Sequence, residues 1–262
     1  MIKVASLRYG VIFKKAFSKP HIFKAFVKDF LGIELEITKV ETEKSFAPII
    51  GNVDSRFDLY AEDKKHRTIV DIQHVRYSDH YDRFLHYHCA ALLEQVASSK
   101  NYTPKLKVYT IVVLTSGDKH GVDMATIDFD PKDSNGKGLN EIPHKILYLC
   151  PKYVSDTTAE PYREWLNAIN DSLDEKVDEN NYQRKEIKDI FNLIKQDLTT
   201  PQEYARMKDE YSLEILKKDE YEKGVEKGMK TSAKKMLDEG IELSLVAKIT
   251  GLSIEELSKT LN

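Results

Sequence analysis

The sequence predicts an α/β protein whose central mixed β-sheet is flanked by helices and followed by a C-terminal helical extension. Two short strand-like runs, residues 56–62 and 68–75, enclose the polar turn 63–66 and predict a β-hairpin. The run 108–114 is nearly continuous in apolar and β-branched residues, which is typical of a central strand buried on both faces. From residue 159 onward the apolar spacing is helical.

Composition limits the class of protein. A chain of 262 residues with 41% apolar and 32% charged residues can bury a hydrophobic core. The formal net charge of −3 argues against a wholly basic nucleic-acid coat, so contact with DNA would need a local patch. No apolar run approaches the ~20 residues of a membrane span, and the isolated Cys89 and Cys150 are typical of free thiols in a reducing compartment. We therefore expect a cytoplasmic protein that does not bind membranes.

The chain begins with two predicted helices. Apolar positions in residues 7–17 have helical spacing, and Pro20 suits the first turn of a second helix that Gly32 ends. Lys14 and Lys15 would lie outward, either as part of a solvated face or as contacts to phosphate.

The other elements of the sheet follow from the same patterns. Residues 34–46 alternate apolar and polar positions and predict a strand, and Gly51-Asn52 predicts a turn into the hairpin. A helix is predicted for 79–98, and shorter strands for 122–129 and 146–150.

The hairpin carries the candidate site. Side chains alternate faces along a strand, so Asp71 and Gln73 should project to one side while Val70 and Ile72 project to the other. The hairpin also brings Asp58 beside Asp71. Two carboxylates and the backbone carbonyl between Asp71 and Gln73 form an oxygen-rich set that suits Mg²⁺ or Mn²⁺. We expect a half-buried strand with a working surface.

Charged neighbours leave alternatives open. The two acids would have a purely structural role if they cap the hairpin or pair with Arg56 and Arg67. His80 and Arg83 follow the strand closely and are candidates for phosphate contact, with a surface or packing role as the alternative.

The patterns divide the chain into a core (1–155), a helical extension with a charged linker helix (156–239), and a small C-terminal element (240–262). The last element reads as helix, turn and helix, and Ser253 with Glu256 forms a capping box. Its second helix offers few basic residues for DNA contact, so we favour a packing or oligomerisation role.

The residues Asp58, Asp71, Ile72 and Gln73 resemble the signature of the PD-(D/E)XK nucleases, in the variant with glutamine at the lysine position. With its surroundings the pattern is similar to the Rpn group of recombination-promoting nucleases and putative transposases. Other stretches resemble that group in the same order: residues 9–17; Tyr81, Arg83 and Tyr87; residues 102–114; and residues 250–257.

This resemblance implies a restriction-endonuclease-like core and metal-dependent cleavage of DNA. Asp58, Asp71 and the Ile72 carbonyl would hold Mg²⁺ or Mn²⁺, and Gln73 would orient the attacking water. Two residues depart from the pattern: Gly10 stands where the family has an acid, and Asp71 replaces the commoner glutamate.

Two alternatives to this assignment stay open, and so does the oligomeric state. The protein could be a catalytically weak or inactive relative that binds nucleic acid or a protein partner. RNA could replace DNA as the substrate, since a metal held by two carboxylates contacts the phosphate, which both nucleic acids have, and recognition of the sugar would lie elsewhere. A homodimer would supply the two active sites that double-strand cutting generally requires.

Overall fold

The computed structural model describes residues 1–46, 55–75, 77, 79–96 and 101–260. In chain order the elements are β1 (Ile2–Lys3), α1 (Gly10–Phe17), α2 (Pro20–Leu31), β2 (Glu41–Phe46), β3 (Ser55–Glu62), β4 (His66–Gln73), α3 (His80–Leu93), β5 (Lys107–Leu114), β6 (Met124–Asp128), β7 (Lys145–Leu149), α4 (Tyr162–Asp171), β8 (Lys176–Val177), α5 (Lys185–Leu193), α6 (Pro201–Asp238), α7 (Leu243–Thr250) and α8 (Ile254–Thr260). The chain forms two compact units, Met1–Met207 and Lys208–Asn262.

The first unit contains a six-stranded mixed sheet in the order β2-β3-β4-β5-β7-β6. The predicted hairpin is present as antiparallel β3 and β4, and β5 runs parallel to both β4 and β7. β5 is buried along almost its whole length, as its apolar sequence predicts. The mixed sheet with flanking helices confirms the predicted fold class.

Helices cover both faces of the sheet. On one face α1, α2, α4 and α5 pack over inward-facing strand residues in a cluster that we call the main core; its members include Phe13, Phe17, Phe26, Leu59, Val70, Ile111, Trp165 and Phe191. On the other face α3 packs over alternate residues of the same strands, among them Tyr60, Ile69 and Val112. Alternation along the strands thus supplies two separate apolar layers.

Several predicted boundaries change in the structure. Of the predicted strand 34–46 only β2 is regular, because Leu35, Ile37 and Val40 reach the main core from an irregular segment. The helix predicted for 79–98 ends at Leu93. The predicted turn at Gly51-Asn52 lies outside the described residues.

The helical part largely follows the predictions. Residues 201–238 form one helix that continues through both of its glycines, so the charged segment is helical. In the second unit Ser253 and Glu256 form the predicted capping box, in which each backbone N–H bonds the other's side chain. No helix among the described residues is long and apolar enough to cross a membrane. The division at residues 155 and 239 into three functional parts stays a prediction.

His88 of α3 is a buried base that should make stability depend on pH. Its Nδ1 lies 2.9 Å from Thr110 Oγ1, and its ring stacks on Phe129. Burial, with a smaller contribution from His144, lowers the pKa of His88 to about 3. A base whose folded-state pKa is depressed contributes stability above its unfolded pKa and loses it as the pH falls, so acidification from pH 7 to about pH 4.5 should cost ~2–3 kcal/mol through this residue.

Urea unfolding at both pH values tests this expectation. His88→Phe keeps the stacking on Phe129 but cannot take up a proton, so its free energy of unfolding should fall less on acidification than that of the wild type. His86→Gln is the control on the same helix, since His86 is exposed; acidification should cost this variant as much as it costs the wild type. Equal pH dependence in wild type and His88→Phe would contradict the assignment.

Candidate metal centre

The candidate site lies where β3 and β4 separate. Their antiparallel pairing runs from Glu62–Arg67 to Leu59–Val70. Past this point each strand follows its other neighbour, β3 along β2 as far as Ser55 and β4 along β5 as far as Gln73. We call the opening between the two strands the fork.

Asp58 and Asp71 bridge the fork reciprocally. Asp71 Oδ1 accepts a hydrogen bond from Asp58 N at 2.9 Å, and Asp58 Oδ2 accepts one from Ile72 N at 3.1 Å. Each carboxylate therefore takes the place of a backbone acceptor on the opposite strand. The alternative pairings with Arg56 and Arg67 do not form, because Arg56 pairs with Glu43, and Arg67 with Glu62 and Glu94.

Asp71 is only 4% exposed and β4 is buried along most of its length, so the prediction of a half-buried strand is wrong. Burial raises the pKa of Asp71 well above the usual carboxyl range, and the negative charge of Asp58 raises it further; the positive charges of Arg83 and Lys14 oppose the shift. Asp71 Oδ2 is buried and has no hydrogen-bond partner among the described residues. An acceptor left in this state costs about 1–3 kcal/mol.

Glu43 of β2 is a third acid at the fork, and no sequence pattern pointed to it. It lies between the Thr42–Leu59 and Lys44–Phe57 pairs, level with Asp58 on the neighbouring strand. Its φ of 57° is left-handed, a conformation that costs a residue other than glycine about 1 kcal/mol or more.

Lys14 of α1 connects two of these acids. Its Nζ lies 3.3 Å from Asp58 Oδ1 and 3.1 Å from Glu43 Oε1. The hydrogen bond from Lys14 lowers the pKa of Glu43. The other Glu43 oxygen accepts from Arg56 at 2.6 Å.

A cavity of about 290 Å³ opens at the fork. We call it the fork cavity; its lining residues are Lys14, Glu43, Arg56, Asp58, Asp71, Ile72, Arg83, Phe84 and Tyr87. Lys14 reaches it from α1 on one face of the sheet, whereas Arg83, Phe84 and Tyr87 reach it from α3 on the other. The cavity thus draws its polar groups from both layers.

The other predicted site residues do not line this cavity. Gln73 is buried, and its Oε1 accepts from Arg83 Nη1 at 3.4 Å. Lys15 bonds instead to Leu198 O and to Glu203. His80 is buried at the start of α3, where its Nδ1 lies 2.8 Å from Tyr77 O.

The residues at the fork fit a hard divalent cation. Asp58 Oδ1 and Asp71 Oδ2 remain after the two backbone bonds are made. Lys14 contacts the first, and the second has no partner among the described residues. Within the described parts of the chain, no group of three or more His, Cys, Asp or Glu side chains forms a metal-ligand cluster. Two carboxylates nevertheless suit Mg²⁺, which usually binds one or two and fills its other positions with waters and substrate phosphate.

Comparison with known proteins agrees with this architecture. The family model of the PD-(D/E)XK nuclease family transposases matches residues 8–223, which include the whole fork. The model of the C-terminal HTH domain of the Rpn/YhgA-like nuclease family matches residues 233–260, which include α7 and α8. No curated protein and no solved structure matches the chain.

The burial of Asp71 predicts that this acid destabilises the metal-free protein. Its raised pKa means that ionisation opposes folding once the pH exceeds the usual carboxyl range. Asp71→Asn keeps an oxygen for Asp58 N but removes the buried charge, and it should stabilise the metal-free protein at pH 7 by about 0.5–2 kcal/mol. Thermal unfolding with and without Mn²⁺ measures this effect: Mn²⁺ should raise the Tm of the wild type but not that of Asp71→Asn.

Asp118 provides a matched control. Burial raises the pKa of Asp118, but hydrogen bonds from Tyr81, His120 and Gly121 outweigh burial and leave the pKa below its usual value. Asp118→Asn should therefore lower the Tm at pH 7. A lower Tm for metal-free Asp71→Asn as well would contradict the account of Asp71.

Proposed function

Because the chain belongs to the PD-(D/E)XK nuclease family transposases, we propose that it is a metal-dependent DNA endonuclease that hydrolyses phosphodiester bonds at the fork cavity. The single observation that carries this proposal is that Asp71 Oδ2, buried beside Asp58, has no hydrogen-bond partner in the part of the chain that the structure describes. A buried acid whose charge opposes folding is the kind of group that active sites retain for function.

The reaction would add a water oxygen to phosphorus and break the bond from phosphorus to one bridging oxygen. One DNA end would keep the phosphate, and the other would leave as a hydroxyl that takes a proton from the attacking water. Mg²⁺ or Mn²⁺, when bound, would stabilise the added negative charge and make a water more acidic. Asp58 and Asp71 would hold that ion, with the Ile72 carbonyl as the third candidate ligand.

Gln73 would orient the attacking water, either directly or through the residues around it. A glutamine amide can donate and accept hydrogen bonds but cannot take up a proton at neutral pH. Its Oε1 already accepts from Arg83, so in this proposal Gln73 acts with Arg83. Lys14 and Arg83 line the cavity and are the better placed of the proposed phosphate contacts. Contacts by Lys15 and His80 stay predictions.

Cleavage of supercoiled plasmid tests the function. With Mg²⁺ or Mn²⁺ the wild type should nick DNA, and EDTA should abolish nicking. Asp58→Asn and Asp71→Asn should each reduce the rate by ~100-fold or more, because each removes a ligand of the ion that supplies several kcal/mol of charge stabilisation. Single-stranded RNA of matched sequence, assayed in parallel, separates DNA from RNA as the substrate.

Asp82→Asn is the matched control, because Asp82 is an exposed acid on α3 that does not line the cavity. It should cleave like the wild type. Cleavage that survives Asp58→Asn unchanged would exclude this site as its origin.

A second candidate function is a catalytically weak or inactive relative that binds nucleic acid or a protein partner. Gly10 in place of the family's acid and the position of Gln73 outside the cavity lining favour it. It requires a wild type that binds DNA but neither binds Mn²⁺ in calorimetry nor cleaves with any divalent ion.

A further inference from the structure

We propose that Lys14, from helix α1, is the cation that contacts the scissile phosphate, and that Glu43 holds it in position. This inference rests on the proposed nuclease function. It assigns to another element the positive charge that the glutamine at position 73 cannot carry.

Position 73 is unsuited to a positive charge in this protein. The side chain of Gln73 is buried, and its Oε1 accepts a hydrogen bond from the Arg83 guanidinium. A lysine at this position would place its ammonium against that guanidinium, and like charges at such a distance repel strongly when they are partly desolvated. The neutral amide instead gives Arg83 an acceptor. The charge that assists phosphate must therefore come from elsewhere in the cavity.

Lys14 has the required position and freedom. Its Nζ is shared between Asp58 and Glu43, and its side chain is 16% exposed at the cavity wall. An ammonium has three N–H donors, so the two acids leave one for a phosphate oxygen. The lysine stem is flexible, which allows the ammonium to turn from Asp58 toward a bound substrate.

Of the other two cations that line the cavity, Arg56 pairs with Glu43 at 2.6 Å and has no contact with Asp58 among the described residues. Arg83, which reaches the cavity from α3, is held more firmly than Lys14. Its guanidinium contacts Gln73 and Tyr87 through hydrogen bonds and stacks near the rings of Tyr77 and Phe84. A planar group fixed on several sides is suited to orienting its neighbours. Lys14 is the side chain that can move onto the reacting phosphate.

Glu43 provides a second carboxylate for Lys14, which allows Lys14 and a metal ion to share Asp58. Both cations would compete for Asp58 Oδ1, the oxygen that Lys14 already contacts. Glu43 offers Lys14 a second carboxylate 3.1 Å away, so the ammonium stays in the cavity when Asp58 turns to the metal. The left-handed backbone of Glu43 and its ion pair with Arg56 fix that second carboxylate. Glu43 is thus a positioning residue, and Lys14 is the catalytic one.

The test compares metal binding with cleavage. Lys14→Met should lower the rate of plasmid nicking by about 100-fold. It should bind Mn²⁺ as tightly as the wild type or a few-fold more tightly, because a competing cation is gone. Asp58→Asn, in contrast, should lose both properties. Calorimetric titration with Mn²⁺ gives the affinity independently of activity.

Four further variants distinguish chemistry from folding. Lys14→Arg should keep part of the activity, and n-propylammonium in solution should partly restore nicking by Lys14→Ala. Lys28→Met is the control, because Lys28 is an exposed lysine of α2 that pairs with Glu34 and does not line the cavity; it should cleave like the wild type. Glu43→Gln alone should lower the rate of nicking, but adding it to Lys14→Met should lower that rate no further, as expected of two residues that act as a unit.

The outcomes separate the two proposals. Nicking by Lys14→Met at the wild-type rate overturns the role of Lys14 and leaves the nuclease function intact. Loss of Mn²⁺ affinity in Lys14→Met, together with no rescue by the amine, also overturns it, because the residue then only maintains the site. If the wild type fails to cleave DNA with every divalent ion tested, the proposed nuclease function is wrong, and this inference is wrong with it.

Discussion

The reciprocal bonds between Asp58 and Asp71 are the interaction on which the site depends. A buried strand pair that stops pairing leaves backbone N–H groups without acceptors, and burying them in that state costs free energy. The two carboxylates supply the missing acceptors at 2.9 and 3.1 Å, so β3 and β4 can separate without orphaned donors at the fork. The same bonds use one oxygen of each acid and leave the other, Asp58 Oδ1 and Asp71 Oδ2, for a different partner. Structure and proposed chemistry therefore depend on the same two carboxylates, each through a different oxygen.

The charges around the fork cavity explain why a metal ion and a phosphate would bind together. Three acids (Glu43, Asp58, Asp71) and three bases (Lys14, Arg56, Arg83) line it. Their formal charges cancel when all are ionised, so the lining alone has no net attraction for a polyanion. A divalent ion on the acids changes that balance to positive and releases the bases toward phosphate. The protein's net charge of −3 makes this local change more important, because the whole chain does not attract DNA.

The hairpin and the two acids that it carries could be predicted from the sequence, because strand periodicity is a local property. Alternation placed Asp71 and Gln73 on one side of β4. There the charge of Arg83 acts on Asp71, and its guanidinium donates a hydrogen bond to Gln73. The depth of burial was missed because the apolar stripe of α3 predicts packing across the sheet but does not show how closely the helix covers Asp71. Glu43 was missed for a different reason: its contribution depends on strand register and on a left-handed backbone, and the alternating stretch 34–46 carries no sign of either. Likewise, charge alone cannot separate Lys14 from Lys15, although one lines the cavity and the other does not.

What separates those two lysines is the packing of α1. Phe13 and Phe17 are fully buried in the main core, and their rings stack with centroids 4.2 Å apart. Successive residues on a helix differ by about 100° in direction, so fixing Phe13 in the core also fixes the direction of its neighbour Lys14. The aromatic core under the sheet thereby determines which ammonium reaches the acids. Lys15, one position further along the helix, points in another direction and bonds to Glu203. If Lys14 acts on phosphate, the precision of its placement comes from apolar packing on the far side of the same helix, and the polar contacts only complete it.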